Sequence, residues 1–200
     1  EPECDAYAVR YRDAFTSLAD AAREWRPAPA LEADHLGALP RAQVSIKLSA
    51  LDSQFDPIDP DGCYAAVAAR LRPLMRTAMQ RSVAVTFDME QYAGKDLTLG
   101  IVRRLLMEEE FRDYPHASLA IQAYLRDTER DVRELIAWAK TRGSPVGVRL
   151  VKGAYWDYET ILHRQRGWPV PVFSHKADTD ACYERLIPLL LEHAAVIRPA

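Results

Sequence analysis

Val83-Ala84-Val85-Thr86-Phe87-Asp88-Met89 decides the fold. The run is short, apolar and β-branched, which reads as a strand. Its flanks make it decisive. Before it, Val67, Leu71, Met75 and Ala78 make one helical stripe, with Pro73 inside it as an expected kink or break. After it, Ile101, Val102, Leu105 and Leu106 predict a helix over about 96–110. Moving outward, the unit recurs on both sides. Gln43-Val44-Ser45-Ile46-Lys47-Leu48 reads as an earlier strand, and Ser118-Leu119-Ala120-Ile121-Gln122 as a later one. Val132, Leu135, Ile136 and Ala139 mark the next helix, with Asp127 as its cap. Val146-Gly147-Val148-Arg149-Leu150-Val151 follows as a fourth strand. Helices are predicted over about 155–166 and 178–194, on either side of the Pro-rich loop or short flap Gly167–Val172. A fifth strand begins near Val196.

Strands alternating with helices imply parallel pairing through right-handed crossovers, hence the α/β class. No G-x-G-x-x-G follows the first strand, which disfavours a dinucleotide-binding sheet. The expected architecture is a (β/α)₈ TIM-barrel type, which needs about 250 residues. This sequence supplies four to five βα units and an N-terminal helix over about 5–25, on which Tyr7, Tyr11, Leu18 and Ala22 share a face. Residues 1–40 read as that helix and a linker, and residues 41–200 as the first part of the barrel.

Of the 200 residues, 48% are hydrophobic and 28% charged, with a formal net charge of -3. That balance offers no basic face for nucleic acid. Cys4, Cys63 and Cys182 are scattered, with no zinc-ligand spacing, so no metal is expected. Three cysteines also make no disulfide framework, which favours a reducing compartment. No apolar run reaches the roughly 20 residues needed to span a bilayer. The acidic start Glu1-Pro2-Glu3-Cys4-Asp5 is unlike a signal peptide and reads as a cut inside a longer protein.

Each strand ends on a polar residue that its apolar pattern does not require: Lys47, Asp88, Gln122, and Arg149 with Lys152. One charge at a strand end is ordinarily the start of solvent. Several in consecutive units are expected to meet on the C-terminal rim, where barrel enzymes place their active sites. Three cations, a carboxylate and an amide suit an anionic ligand. Lys152-Gly153-Ala154 leads into a helix, an arrangement that brings backbone N–H groups to a phosphate. Tyr155 and Trp156 follow, placed to flank a flat ring or to pack on the barrel. Asp88 and Glu90 are read as facing opposite ways, which removes a glycosidase-type acid pair. A Schiff-base lyase using Lys47 or Lys152 is a further reading.

Val44-Ser45-Ile46-Lys47-Leu48-Ser49-Ala50-Leu51, Phe87-Asp88-Met89-Glu90, Ile121-Gln122-Ala123-Tyr124 and Val148-Arg149-Leu150-Val151-Lys152-Gly153-Ala154-Tyr155-Trp156 resemble the successive strand motifs of proline dehydrogenases. Pro171–Lys176 and Thr179-Asp180-x-x-Tyr183 resemble the stretch that follows. The detail is similar to the bacterial bifunctional proline-utilisation proteins, which add an aldehyde dehydrogenase domain on the same chain.

The resemblance implies a distorted TIM barrel that holds FAD. It would oxidise L-proline to Δ1-pyrroline-5-carboxylate by hydride transfer, the first step from proline to glutamate. Electrons would pass to a membrane quinone, and the protein would be cytoplasmic and peripheral at the inner membrane. It implies Asp88 and Arg149 as catalytic residues. Asp88, Met89, Gln122, Arg149, Lys152, Gly153, Ala154, Trp156 and Lys176 would touch the cofactor. Lys47 would meet the substrate carboxylate. The family's two carboxylate-binding arginines, on a late helix, are expected beyond Ala200. The alternative is a non-catalytic barrel fragment.

Overall fold

The computed structural model describes residues 1–199. Five strands form one parallel sheet in the order β3 (Ala42–Ile46), β4 (Val83–Phe87), β5 (Ala117–Gln122), β6 (Val146–Val151) and β7 (Ile197–Pro199). The sheet is open; the described residues close no barrel. Ahead of it lie α1 (Pro2–Arg23) and a small antiparallel hairpin, β1 (Ala33–Asp34) with β2 (Gly37–Ala38). The crossovers carry α2 (Pro60–Arg81), α3 (Lys95–Leu105), α4 (Thr128–Arg142), and both α5 (Trp156–Arg166) and α6 (Lys176–Leu191).

Local chemistry sets the joints. Pro60 opens α2 behind the Asp59 cap, whose carboxylate accepts from the Gly62 N–H at 2.9 Å. Ser82 takes a left-handed φ of 53° and turns the chain directly into β4. Gly143, at φ 78°, ends α4 in the same way.

The pleat sorts each strand into two faces. Ile46, Val83, Val85, Phe87, Leu119, Val146 and Val148 join Phe15 of α1, Val67 and Leu71 of α2, Val102 of α3 and Leu135 of α4 in one core. Each such side chain contributes roughly 1.5–3 kcal/mol when fully buried. The opposite face is polar. Thr86 and Ser118 share a hydrogen bond of 2.6 Å, and Gln43 donates to both. Gly147 stands beside Ser118 because a Cβ there would lie 2.4 Å from the serine Cβ.

Several expectations change. On α1 the expected face holds for Ala22, which is in the core, and for Tyr11 and Leu18, which pack against it, but Tyr7 is exposed and Phe15 and Ala19 join the core. α2 runs unbroken through Pro73. Interior proline costs about 3 kcal/mol, which burial of Leu71, Leu74, Met75 and Ala78 around it offsets. α3 stops at Leu105 and α6 at Leu191, both short of the predicted ends. Asp127 occupies the cap position of α4 without capping; its carboxylate goes to Lys95, Tyr92 and Arg130. The Pro-rich segment docks as a flap: Val172 bridges Leu125, and the Phe173 N–H donates to the Tyr124 carbonyl at 2.8 Å. The β1–β2 hairpin carries no strand signal in the sequence. It is held by Asp34, which accepts from Arg198 on β7.

Candidate active site

Register assembles the mouth. Ile46 pairs with Phe87, Phe87 with Leu119, and Leu119 with Val148. Their successors Lys47, Asp88, Ala120 and Arg149 therefore stand at one level, and Gln122 ends β5 two residues higher. Lys47, Asp88, Gln122 and Arg149, with Lys152 directly after β6, lie at the same, C-terminal end of the sheet.

Arg149 is fixed on two sides. Its Nη2 donates to the Asp88 carboxylate, and its Nη1 donates to Ser45 Oγ at 3.1 Å. Arg149 is about two-fifths exposed and Asp88 about one-fifth (39% and 22%), so the pair opens to the mouth rather than lying in the core. Lys47 turns to a different partner, Glu90, at 3.7 Å. Its ammonium is held above the usual range, first by Tyr155 and then by Glu90 and Asp88, against the opposing effect of burial. Asp88 and Glu90 thus act on the same lysine. The reading that they face opposite ways is corrected, since residues two apart on an extended chain share a face.

Gln122 is buried. Its Nε2 donates to the Glu90 carbonyl at 3.1 Å, while its Oε1 has no hydrogen-bond partner among the described residues. Met89 is also buried, within the core cluster.

The remaining expected residues gather around a second hollow. Tyr124, Lys152, Gly153, Trp156, Ser174 and Lys176 line a cleft of about 410 Å³. Gly153 sits at φ +135°, and a Cβ there would come 2.5 Å from the Tyr124 ring, so only glycine fits. Ala154, exposed, continues this turn toward α5. Trp156 Nε1 donates to the Phe173 carbonyl at 2.8 Å, which ties α5 to the flap. Lys152 and Lys176 both donate to Asp180. Two ammonium groups on one carboxylate leave a net positive charge facing the cleft.

Sequence reasoning missed Ser45, Tyr11 and Asp180. Ser45 carried a usable signal, because it lies two residues before Lys47 on the same strand face. Tyr11 carried none, since it meets Lys47 from a helix 36 residues earlier.

This geometry is suited to an anion and to stabilising negative charge at the mouth. It argues against a Schiff-base lysine, which needs a depressed pKa. Lys47 and Lys152 are both shifted upward, Lys152 chiefly by its hydrogen bond to Asp180.

Residues 1–200 match the family model for proline dehydrogenase. The chain is 27% identical over 198 residues to the bifunctional protein PutA of Klebsiella aerogenes, covering 98% of this chain and 14% of that protein. It is 31% identical over 147 residues to proline dehydrogenase 2 of Bacillus subtilis (strain 168), covering 73% of this chain and 39% of that protein. The crystal structure of proline utilization A from Bdellovibrio bacteriovorus inactivated by N-propargylglycine shares the fold with a TM-score of 0.96 at 47% identity. That match covers 100% of this chain and 21% of the other. The chain thus spans less than half the length of each of these relatives. The parallel sheet with its charged C-terminal rim and the family match along the whole sequence agree: the chain belongs to the proline dehydrogenase family.

Proposed function

We propose that this chain is the first part of a flavin-dependent L-proline dehydrogenase barrel, which oxidises L-proline to Δ1-pyrroline-5-carboxylate with FAD. The observation that carries the reading is the Arg149 guanidinium, fixed between Asp88 and Ser45 at the mouth. The residues fit the cofactor. Gln122 Oε1 is buried with no partner among the described residues, and Gly153 leaves a cradle that any side chain would fill. Asp88, Met89, Gln122 and Arg149 would hold FAD on the mouth side. Lys152, Gly153, Ala154, Trp156 and Lys176 would hold it on the cleft side.

When bound, the flavin supplies a two-electron acceptor for the hydride that leaves the proline ring. The rest belongs to the protein. The Lys47 ammonium binds the substrate carboxylate. Arg149 places a permanent positive charge where negative charge builds up, and this is worth more as water is excluded. Asp88 Oδ1 is taken by Arg149, which leaves Oδ2 as an acceptor for the proton released from the proline nitrogen, directly or through water.

Transfer of electrons to a membrane quinone, an aldehyde dehydrogenase domain on the same parent chain, and a cytoplasmic site with peripheral contact at the inner membrane complete the reading. The quinone and the location rest on the sequence resemblance alone. The second domain is also suggested by the name "bifunctional protein" carried by relatives. Among the described residues no helix is long and apolar enough to cross a membrane.

The test uses the full-length protein that carries this sequence. Anaerobic L-proline should bleach its oxidised flavin band, and the product should be trapped by an aminobenzaldehyde. A flavin-loaded protein that L-proline leaves oxidised would overturn the reading.

A further inference from the structure

We propose that Tyr11, on the N-terminal helix, is a positioning residue for Lys47 and through it for the substrate carboxylate. The inference rests on the functional reading above and adds α1 to the site. Backbone groups of successive strand residues point to opposite edges. The Ile46 carbonyl accepts from the Asp88 N–H at 2.9 Å, so Ile46 addresses β4. The Lys47 N–H therefore points away from β4. The Tyr11 hydroxyl accepts from that N–H at 3.1 Å.

The phenol is anchored for this task. Tyr11 is partly buried and packs against the main core, one helical turn before the fully buried Phe15. Its neighbours are the charged groups of the mouth: Lys47, Asp88 and Glu90 all act on its hydroxyl, with burial the larger influence that raises its pKa. Accepting from Lys47 leaves the phenolic hydrogen free to donate. Fixing the Lys47 backbone fixes the root of its side chain, and so sets where the ammonium stands relative to Glu90 and Tyr155. A side chain that sets the position of a carboxylate-binding cation acts on substrate binding more than on the chemical step.

The experiment uses the full-length, flavin-loaded protein and the variant Tyr11→Phe, with Tyr7→Phe on the same helix as control. Tyr11→Phe should raise KM for L-proline about fivefold and weaken binding of cyclopentanecarboxylate by a similar factor. kcat and the flavin potential should stay within about twofold of wild type, as expected when the lost interaction serves binding. Hydrogen exchange at the Lys47 amide should accelerate about tenfold or more in Tyr11→Phe and not in Tyr7→Phe. Unchanged KM, unchanged carboxylate binding or unchanged exchange at Lys47 overturns the proposal. So does a fall in kcat, potential and thermal stability together, which marks a general structural role. If wild type fails to oxidise L-proline, the functional reading falls, and the carboxylate binding and Lys47 exchange still decide the role of Tyr11. If Tyr11→Phe folds poorly, Tyr11→Gln, which keeps an acceptor oxygen, should retain more of the Lys47 protection. Equal loss in both variants counts against the hydrogen bond.

Discussion

Arg149 and Asp88 form their ion pair across an intervening strand: one lies on β6, the other follows β4, and β5 runs between them. In a barrel the side chains of one interior layer come from alternate strands. β5 contributes only the small Ala120 at that level, paired in register with Arg149. A longer residue there would stand between the guanidinium and its carboxylate. The pair is thus a consequence of register and of one small side chain.

Replacing Arg149 tests the electrostatics. Arg149→Met in the full-length protein should reduce proline oxidation by about a hundredfold or more, the scale of losing one stabilising donor. The flavin potential should move downward, because a fixed positive charge is removed. Arg149→Lys should recover only part of the loss, since an ammonium cannot reach both Asp88 and Ser45 as the planar fork does. Ser45→Ala should cost less, about tenfold. Potentiometry showing an unaltered potential in Arg149→Met would remove Arg149 from this role.

Gly153 offers a test of the cleft. Gly153→Ala forces a left-handed φ on an alanine and pushes a methyl group toward the Tyr124 ring. Strain of this kind costs on the order of 1–3 kcal/mol. The turn is exposed, so the fold should survive while flavin retention falls. The ratio of flavin to protein absorbance after purification measures this, and full occupancy in Gly153→Ala would count against the cleft as a cofactor site.

The site was legible in the sequence where period-two patterning ran into a residue that the pattern did not need. Lys47, Asp88, Gln122 and Arg149 each interrupted an apolar strand toward its C-terminal end, and the register brought Lys47, Asp88 and Arg149 level with Gln122 two residues beyond. What stayed hidden depends on contacts between distant segments. The Lys152–Asp180–Lys176 cluster joins a strand end to a later helix. Asp127 had the right residue type and place for a cap, but Lys95, buried nearby, claimed its carboxylate. Phe15 escaped the reading because the inward arc of α1 is wider than one stripe: Tyr11, Leu18 and Ala22 of the expected face meet the core together with Phe15 and Ala19.

Arg142 is the strongest structural prediction. It is fully buried with no carboxylate partner among the described residues, and it donates to the carbonyls of Leu106, Phe111, Tyr114 and Pro145. Burial lowers its pKa. These bonds lock the segment between α3 and β5 to the turn after α4. Arg142→Met orphans several carbonyls at once and should destabilise the fold by about 3–5 kcal/mol. Arg142→Lys should be nearly as damaging, since one ammonium cannot span four acceptors on a planar fork. Chemical denaturation of the purified protein gives the answer, and a loss under about 1 kcal/mol for Arg142→Met would show that water replaces the guanidinium.

The isolated 200-residue chain should have negligible proline dehydrogenase activity even with excess FAD. Its mouth is open: the Lys47 and Arg149 side chains are 49% and 39% exposed. Charges wetted to that degree act through a high dielectric, which weakens both the carboxylate binding proposed for Lys47 and the stabilisation proposed for Arg149 at the flavin. Among the described residues its sheet also ends in two edge strands, β3 and β7, each paired on one side only. The β7 edge carries Ile197 beside Val146, and unpaired edges invite association between chains. Closing those edges and covering that mouth needs further protein, and the relatives this chain matches are all substantially longer. The measurement is steady-state reduction of an artificial electron acceptor by L-proline, with the isolated chain and the full-length protein side by side. Turnover by the isolated chain within about tenfold of the full-length protein, a difference of roughly 1.4 kcal/mol, would mean that the open sheet already holds the working site.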